Sequence, residues 1–223
     1  MAHVKKFKKE ALGHVCAHLE RSVEADHYGN KNIDVSRLDE DCVNLAPARK
    51  GGQIAYIKQQ TNAVMGVRTL RKDAVRMCCW VVTVPKDFPQ EKEPIFFQTA
   101  YDFLVERYGT KSGMGEDCVI SAYIHQSENT PHMHFAFLPV IERNNEKTIC
   151  AKDVVNRTDL STFHRDLASY MSAKGICKES DILNGQTQRD KNGRALTVKQ
   201  LEHNRERDRW ERSVTRDRER GRW

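Results

Sequence analysis

No apolar run in this sequence approaches the length of a bilayer-spanning helix, and the lysines that open it (Lys5, Lys6, Lys8, Lys9) lead into neither the apolar segment nor the cleavage site of a secretory signal. A cytoplasmic protein without a membrane segment is expected. There is also no Cys-x-x-Cys pair. The seven cysteines (Cys16, Cys42, Cys78, Cys79, Cys118, Cys150 and Cys177) are odd in number and irregularly spaced, which argues against a disulfide framework or a zinc-stabilised structural domain and predicts free thiols. Nor is there a large excess of one charge. The net charge is only +6, so the placement of basic residues matters more than their total. They gather at the opening lysines, at Arg68, Arg71, Lys72 and Arg76, and in the last stretch, and such patches invite a polyanion.

What is present suits one substantial domain with a polar extension: 223 residues, 39% hydrophobic and 30% charged. Val4 to Lys9 reads as a short first strand. Ala11, Leu12, Val15, Cys16 and Leu19 recur at helical spacing and place His14, His18 and Arg21 near one face. Residues 26–52, broken by Gly29, Pro47, Gly51 and Gly52, read as a long connection. A helix is expected over Ile54 to Met65, a strand over Met77 to Val84, and a buried helix over Glu93 to Tyr108 capped by Gly109. Strands Cys118 to His125 and His132 to Val140 follow, then a turn at Glu142 to Lys147. A last amphipathic helix runs from Asp159, its cap, to Ala173, with Leu160, Phe163, Leu167 and Tyr170 inward and Gly175 as its stop. Strands interleaved with helices imply an α+β fold, a central antiparallel sheet with helices on one face and the other face free. Residues 201–223 interleave eight arginines with acids and read as a charged helical extension. Its pattern runs to Trp223 without a cap, which predicts that the natural polypeptide continues.

Three histidines dominate the chemistry. Residues i and i+2 of a strand share a face, so His132 and His134 stand side by side while Met133 and Phe135 point inward. A turn from Gln126 to Pro131 would fold the preceding strand back and bring His125 opposite the pair. Three imidazoles with positions left open suit a catalytic divalent cation. Glu128 adds a carboxylate that could orient a ligand ring or hydrogen-bond a reacting group.

The segments Ala17-His18-Leu19-Glu20-Arg21, Asn30-Lys31-Asn32-Ile33, Arg68 to Val75 and His125 to His134, in that order, resemble the MobV class of Pre/Mob plasmid mobilisation and recombination relaxases, within the His-hydrophobe-His (HUH) endonuclease superfamily. The resemblance covers residues 4 to 200 and implies a relaxase domain over 1–200 that nicks one strand at an origin of transfer. It implies His125, His132 and His134 as ligands of Mn²⁺ or Mg²⁺, although three imidazoles would also accept Zn²⁺, Co²⁺ or Ni²⁺. It implies His18 as a nucleophile forming a covalent 5′-phosphate link, with Arg21, Arg68 and Glu128 in the active site and Lys31, Arg71, Lys72 and Arg76 on the DNA. Origin DNA, hairpin or duplex plus single strand, is the implied partner, with conjugation coupling machinery as a further one. Residues 38–45 depart from the family pattern, leaving that loop without an assigned role and Tyr28 as the rival nucleophile. The competing readings are a rolling-circle replication initiator of the same superfamily and a non-catalytic origin-binding module.

Overall fold

Whether the strands pair as the histidine argument requires is decided by the sheet. A computed structural model describes residues 2–22, 33–128, 130–183 and 207, so Tyr28, Lys31 and nearly all of the 201–223 extension lie outside the described residues. The elements run β1 (Ala2–Lys8), α1 (Leu12–Leu19), α2 (Gly52–Met65), β2 (Val75–Thr83), α3 (Glu93–Ser112), β3 (Val119–His125), β4 (His132–Phe137), β5 (Val140–Arg143), β6 (Glu146–Ile149), α4 (Ala151–Val154), α5 (Arg157–Ala173) and α6 (Glu179–Leu183). Four strands form one antiparallel sheet in the order β1-β2-β4-β3. No described helix is long and apolar enough to cross a membrane.

Strand alternation divides the core in two. Cys78, Trp80 and Val82 of β2 join Met133, Phe135 and Phe137 of β4 on one face, where α3 and α5 contribute Phe96, Phe97, Leu104, Phe163 and Leu167. Met77 and Cys79 of β2 and Ala136 of β4 face the other way, onto Leu12, Cys16 and Leu19 of α1 and Tyr56 and Ile57 of α2. The α+β architecture is the one expected, with the histidines on the face opposite α3 and α5. That second face is not bare, however. Two helices pack on it, and α1 covers the histidines from one side.

Several boundaries differ from the sequence expectations for identifiable reasons. Helix α3 continues to Ser112 and is closed by Gly113 at φ +60°, because Gly109 serves packing instead: a Cβ there would sit 2.8 Å from the Gly115 carbonyl oxygen. Asn156, not Asp159, caps α5, its side chain accepting from the Asp159 amide at 2.8 Å. Leu160 is 44% exposed rather than inward. Strand β4 stops at Phe137, since Pro139 offers no amide to continue the ladder. The expected turn over Glu142 to Lys147 is the tip of a separate β5-β6 hairpin, whose Asn144 and Asn145 both take positive φ as a two-residue type I′ turn requires. Within the long connection, Val35–Cys42 is a 3₁₀ helix.

Asp159 is freed from capping to close a buried polar chain. Trp80 stacks on Phe163 with ring centroids 3.6 Å apart, and its indole donates to the Tyr108 hydroxyl at 2.7 Å. Tyr108 in turn donates to Asp159 at 2.9 Å, which also receives Arg107 and Lys111. The polar tips of Trp80 and Tyr108 in the aromatic core thus reach partners. Asp159→Ala is expected to cost about 3 kcal/mol, because it leaves the buried Tyr108 hydroxyl without its acceptor and removes the carboxylate shared by Arg107 and Lys111. A urea midpoint unchanged from wild type would contradict this.

Candidate active site and metal centre

Antiparallel pairing of β3 with β4 sets His125 directly across from His132, as the folded-back turn requires. The rings of His125, His132 and His134 then lie 4.6 to 5.4 Å apart between centroids. Helix α1 supplies a fourth. Its Leu12, Cys16 and Leu19 are buried against the sheet, and the helical period carries His18 to the edge of that stripe, 5.4 Å from both His125 and His134.

The hydrogen bonds behind the rings fix which nitrogens are bare. His125 Nε2 lies 3.1 Å from the Leu19 carbonyl, which can only accept, so Nε2 holds the proton and Nδ1 keeps its lone pair. That Nδ1 is buried without a hydrogen-bond partner, 3.9 Å from a Glu128 oxygen. The same logic applies to His132, whose Nδ1 donates to the Thr130 carbonyl at 2.9 Å and leaves Nε2 bare. His132 Nε2 faces His134 Nε2 at 3.0 Å. Two ligand nitrogens each about 2.1 Å from a shared cation and roughly at a right angle would stand about 3 Å apart. Donor atoms of His18, His125 and His134, and those of His125, Glu128 and His132, lie within 4.8 Å of one another, so the donor set fits a divalent cation. Backbone carbonyls orienting ligand imidazoles are the usual outer support of such a site.

Burial and nearby charge favour the neutral form of His18, His125 and His134. Burial, then the Arg21 charge, drives His125 down to about 3. Burial and the neighbouring histidines hold His134 well below the ordinary histidine value. His18 is lowered chiefly by burial and next by Arg21, with Glu128 opposing. Neutral imidazole is the form that binds a metal or attacks an electrophile.

Arg21 ties these groups together. It follows α1 at φ +51°, and its guanidinium donates to Asp41 at 2.7 Å and to Glu128 at 2.8 Å, with Nη1 3.5 Å from His18 Nδ1. Asp41 lies in the segment that sequence reasoning left without a role. It is 1% exposed and accepts from the amides of Gln126 (2.6 Å) and Ser127 (2.9 Å) and from the Ser127 hydroxyl (2.5 Å). Burial alone would raise its carboxyl, yet the Ser127, Gln126 and Arg21 hydrogen bonds hold it below the ordinary value. No local pattern marks Asp41, since its partners are 20 and more than 80 residues away.

The remaining predicted residues are dispersed. Arg68 does not join the histidines: its guanidinium donates to the carbonyls of Val64, Met65 and Lys147, closing the end of α2 and binding it to β6. Arg71 pairs with Asp73 on the surface, Lys72 is exposed, and Arg76 is half-buried. A cavity of about 300 Å³ opens beside the site between α1 and the β1-β2 edge, lined by Lys5, His14, His18 and His134 among others.

A family model described as "Plasmid recombination enzyme" (Mob_Pre) matches residues 1–200. The plasmid recombination enzyme of Streptococcus agalactiae is 32% identical over 194 residues, covering 83% of this chain and 36% of that protein. The one from Lactiplantibacillus plantarum is 29% identical over 183 residues, covering 79% of this chain and 47% of that protein. The chain therefore spans less than half the length of these curated relatives. Among solved structures, a Mn-bound MobM relaxase domain in complex with plasmid pMV158 oriT DNA (22 nucleotides with a 3′ thiophosphate) superposes with a TM-score of 0.72 at 30% identity, covering 91% of this chain and 97% of that one. A second Mn-bound MobM complex with 22-nucleotide oriT DNA gives 0.70 at 29% identity, covering 91% and 98%.

Removing Asp41 uncovers a buried cation and two turn amides together. Asp41→Ala is expected to lower stability by about 3 kcal/mol, against about 1 kcal/mol or less for Glu128→Gln, whose carboxylate is partly solvated. Equal midpoints for the two variants in a denaturant titration would refute the anchoring role of Asp41.

Proposed function

The chain belongs to the plasmid recombination enzyme family, and from that premise we propose that it is a metal-dependent relaxase domain that nicks one strand of an origin of transfer and holds the 5′ phosphate on His18. The observation that carries the reading is the convergence of His18 with three imidazoles: His18 packs 5.4 Å from His125 and His134, the ring nitrogens of His132 and His134 face each other at 3.0 Å, and donor atoms of His18, His125 and His134 and of His125, Glu128 and His132 cluster within 4.8 Å. His125, His132 and His134 are the proposed ligands, with Mn²⁺ or Mg²⁺ as the proposed cation and Zn²⁺, Co²⁺ or Ni²⁺ also compatible with the donors. When bound there, the cation supplies Lewis-acid polarisation of a phosphate oxygen.

The protein's own groups perform the rest. His18, kept neutral by burial and by Arg21, is the proposed group that attacks the phosphorus through a ring nitrogen. The N–P bond forms as the P–O3′ bond breaks, and the departing 3′ oxygen takes a proton from solvent. The covalent link keeps the phosphodiester energy available for rejoining. Arg21 places its fixed charge beside the nucleophile and the phosphate, while Glu128 offsets the positive charge that the His18 ring gains as the bond forms. Origin DNA is the proposed substrate. Its single strand would run into the cavity between α1 and β1-β2 that reaches His18, with aromatic and basic contacts along the backbone.

The test is incubation with a labelled single-stranded origin oligonucleotide and Mn²⁺. Cleavage is expected to stop with a chelator and return with added Mn²⁺, and His134→Ala is expected to lower both metal affinity and the nicking rate about 100-fold. A wild-type protein that binds the oligonucleotide with Mn²⁺ present and leaves it uncut would replace this reading with a DNA-binding module.

A further inference from the structure

The three proposed ligand rings differ in what stands behind them. Carbonyls of Leu19 and Thr130 back His125 and His132, and a carbonyl only accepts, so each of those rings has one permitted tautomer. His134 is backed differently. Among the described residues, its Nδ1 meets the Cys79 thiol, at 3.9 Å. The strand register brings the two together: Val81 lies directly across from His134, and Cys79, two residues before Val81, shares its face of the sheet. Cys79 is 3% exposed, within the apolar cluster shared with α1 and α2, and its S–H also reaches the Trp80 carbonyl at 3.7 Å. A thiol buried in such surroundings keeps its proton, and it can both donate and accept.

That double capacity matters because His134 has two arrangements to satisfy. The Nδ1 proton of His132 is committed to Thr130, so His132 Nε2 can only accept. It lies 3.0 Å from His134 Nε2, a hydrogen-bond distance that requires the His134 proton to sit on Nε2 when no cation is bound. His134 Nδ1 is then an acceptor, and the Cys79 S–H faces it. To serve one cation both Nε2 atoms must be bare, and the His134 proton then sits on Nδ1. The sulfur accepts from that N–H, and the S–H turns to the Trp80 carbonyl. We infer that Cys79 is a positioning residue for His134, donating to its Nδ1 in the metal-free protein and accepting from it in the loaded one, so that this ligand alone of the three changes tautomer. The ring holds one proton and the thiol one in both states; the proton leaving Nε2 goes to water, and Nδ1 takes one from water. Neither state leaves Nδ1 buried without a partner, which would cost affinity for the metal.

The inference rests on the metal reading of the three histidines, and the test separates the two. Imidazole nitrogens of the nitrogen-labelled full chain are followed by long-range proton–nitrogen NMR, metal-free and with saturating Zn²⁺, which is diamagnetic; His134→Ala assigns the His134 signals. The His134 proton is expected on Nε2 without Zn²⁺ and on Nδ1 with it, while His125 and His132 keep theirs in place. In parallel, Zn²⁺ affinity and metal-free thermal stability are measured for Cys79→Ala and Cys79→Ser. Cys79→Ala is expected to weaken Zn²⁺ binding about tenfold, and Cys79→Ser, which keeps a donor and an acceptor, to restore most of that loss although both changes disturb packing. Zn²⁺ uptake with an unchanged His134 tautomer would overturn the inference. So would wild-type affinity in Cys79→Ala, or affinities of the two variants that fall together in step with their stability, the mark of packing alone. A wild type that takes up no Zn²⁺ would instead overturn the metal reading, and this inference with it.

Discussion

The buried guanidinium of Arg21 is the contact on which the site depends. It joins three segments far apart in the chain: the end of α1, the 3₁₀ segment that carries Asp41, and the β3-β4 turn that carries Ser127 and Glu128. Its left-handed backbone costs of the order of 1 kcal/mol for a residue with a side chain, and two charge-assisted contacts offset that cost. Asp41 makes the arrangement tolerable in a buried setting, since it saturates with four donors rather than one. Were the clasp absent, α1 would keep its apolar contacts and the hydrogen bonds from His125 and Gln53 to its last carbonyls, but would lose the charged anchor that stands beside His18.

The charge of Arg21 also acts on the rings around it. Together with burial it keeps His125 and His18 neutral, while backbone carbonyls at Leu19 and Thr130 decide which nitrogen of each ligand ring stays bare. Position, tautomer and charge state of the imidazoles therefore follow from the same packing. The fold contributes by pairing β3 with β4 in a register that faces His125 with His132, and by setting α1 across the sheet on Leu12, Cys16 and Leu19.

Much of this was legible in the sequence because it rests on local periodicity. The i, i+2 spacing of His132 and His134, the polar turn after His125 and the helical stripe that carries His18 are short-range patterns, and the residues follow them. The misreadings share another cause. Gly109 has the look of a helix cap, but the close backbone of Gly115 is what requires a glycine there. Asp159 resembles a cap, and its actual partners are an arginine, a lysine and a tyrosine about 50 residues earlier. Arg68, which the family resemblance places in the active site, has its guanidinium on carbonyls of α2 and β6 in this structure, a long-range pairing that its motif does not announce. Asp41 was invisible for the converse reason, since its sequence neighbours give no sign of Arg21 or Ser127. Long-range polar pairing has no period, so only the folded chain reveals it.

The central claim is that His18 is the residue that takes the DNA phosphate, and mapping the covalent adduct tests it most directly. The protein would be incubated with Mn²⁺ and a single-stranded origin oligonucleotide, trimmed with nuclease, digested and read by mass spectrometry. The account predicts a nucleotide phosphate on the peptide that contains His18, lost in acid as a phosphorus–nitrogen bond should be, absent in His18→Ala and retained in Tyr28→Phe. An acid-stable adduct on Tyr28 that persists in His18→Ala would contradict it.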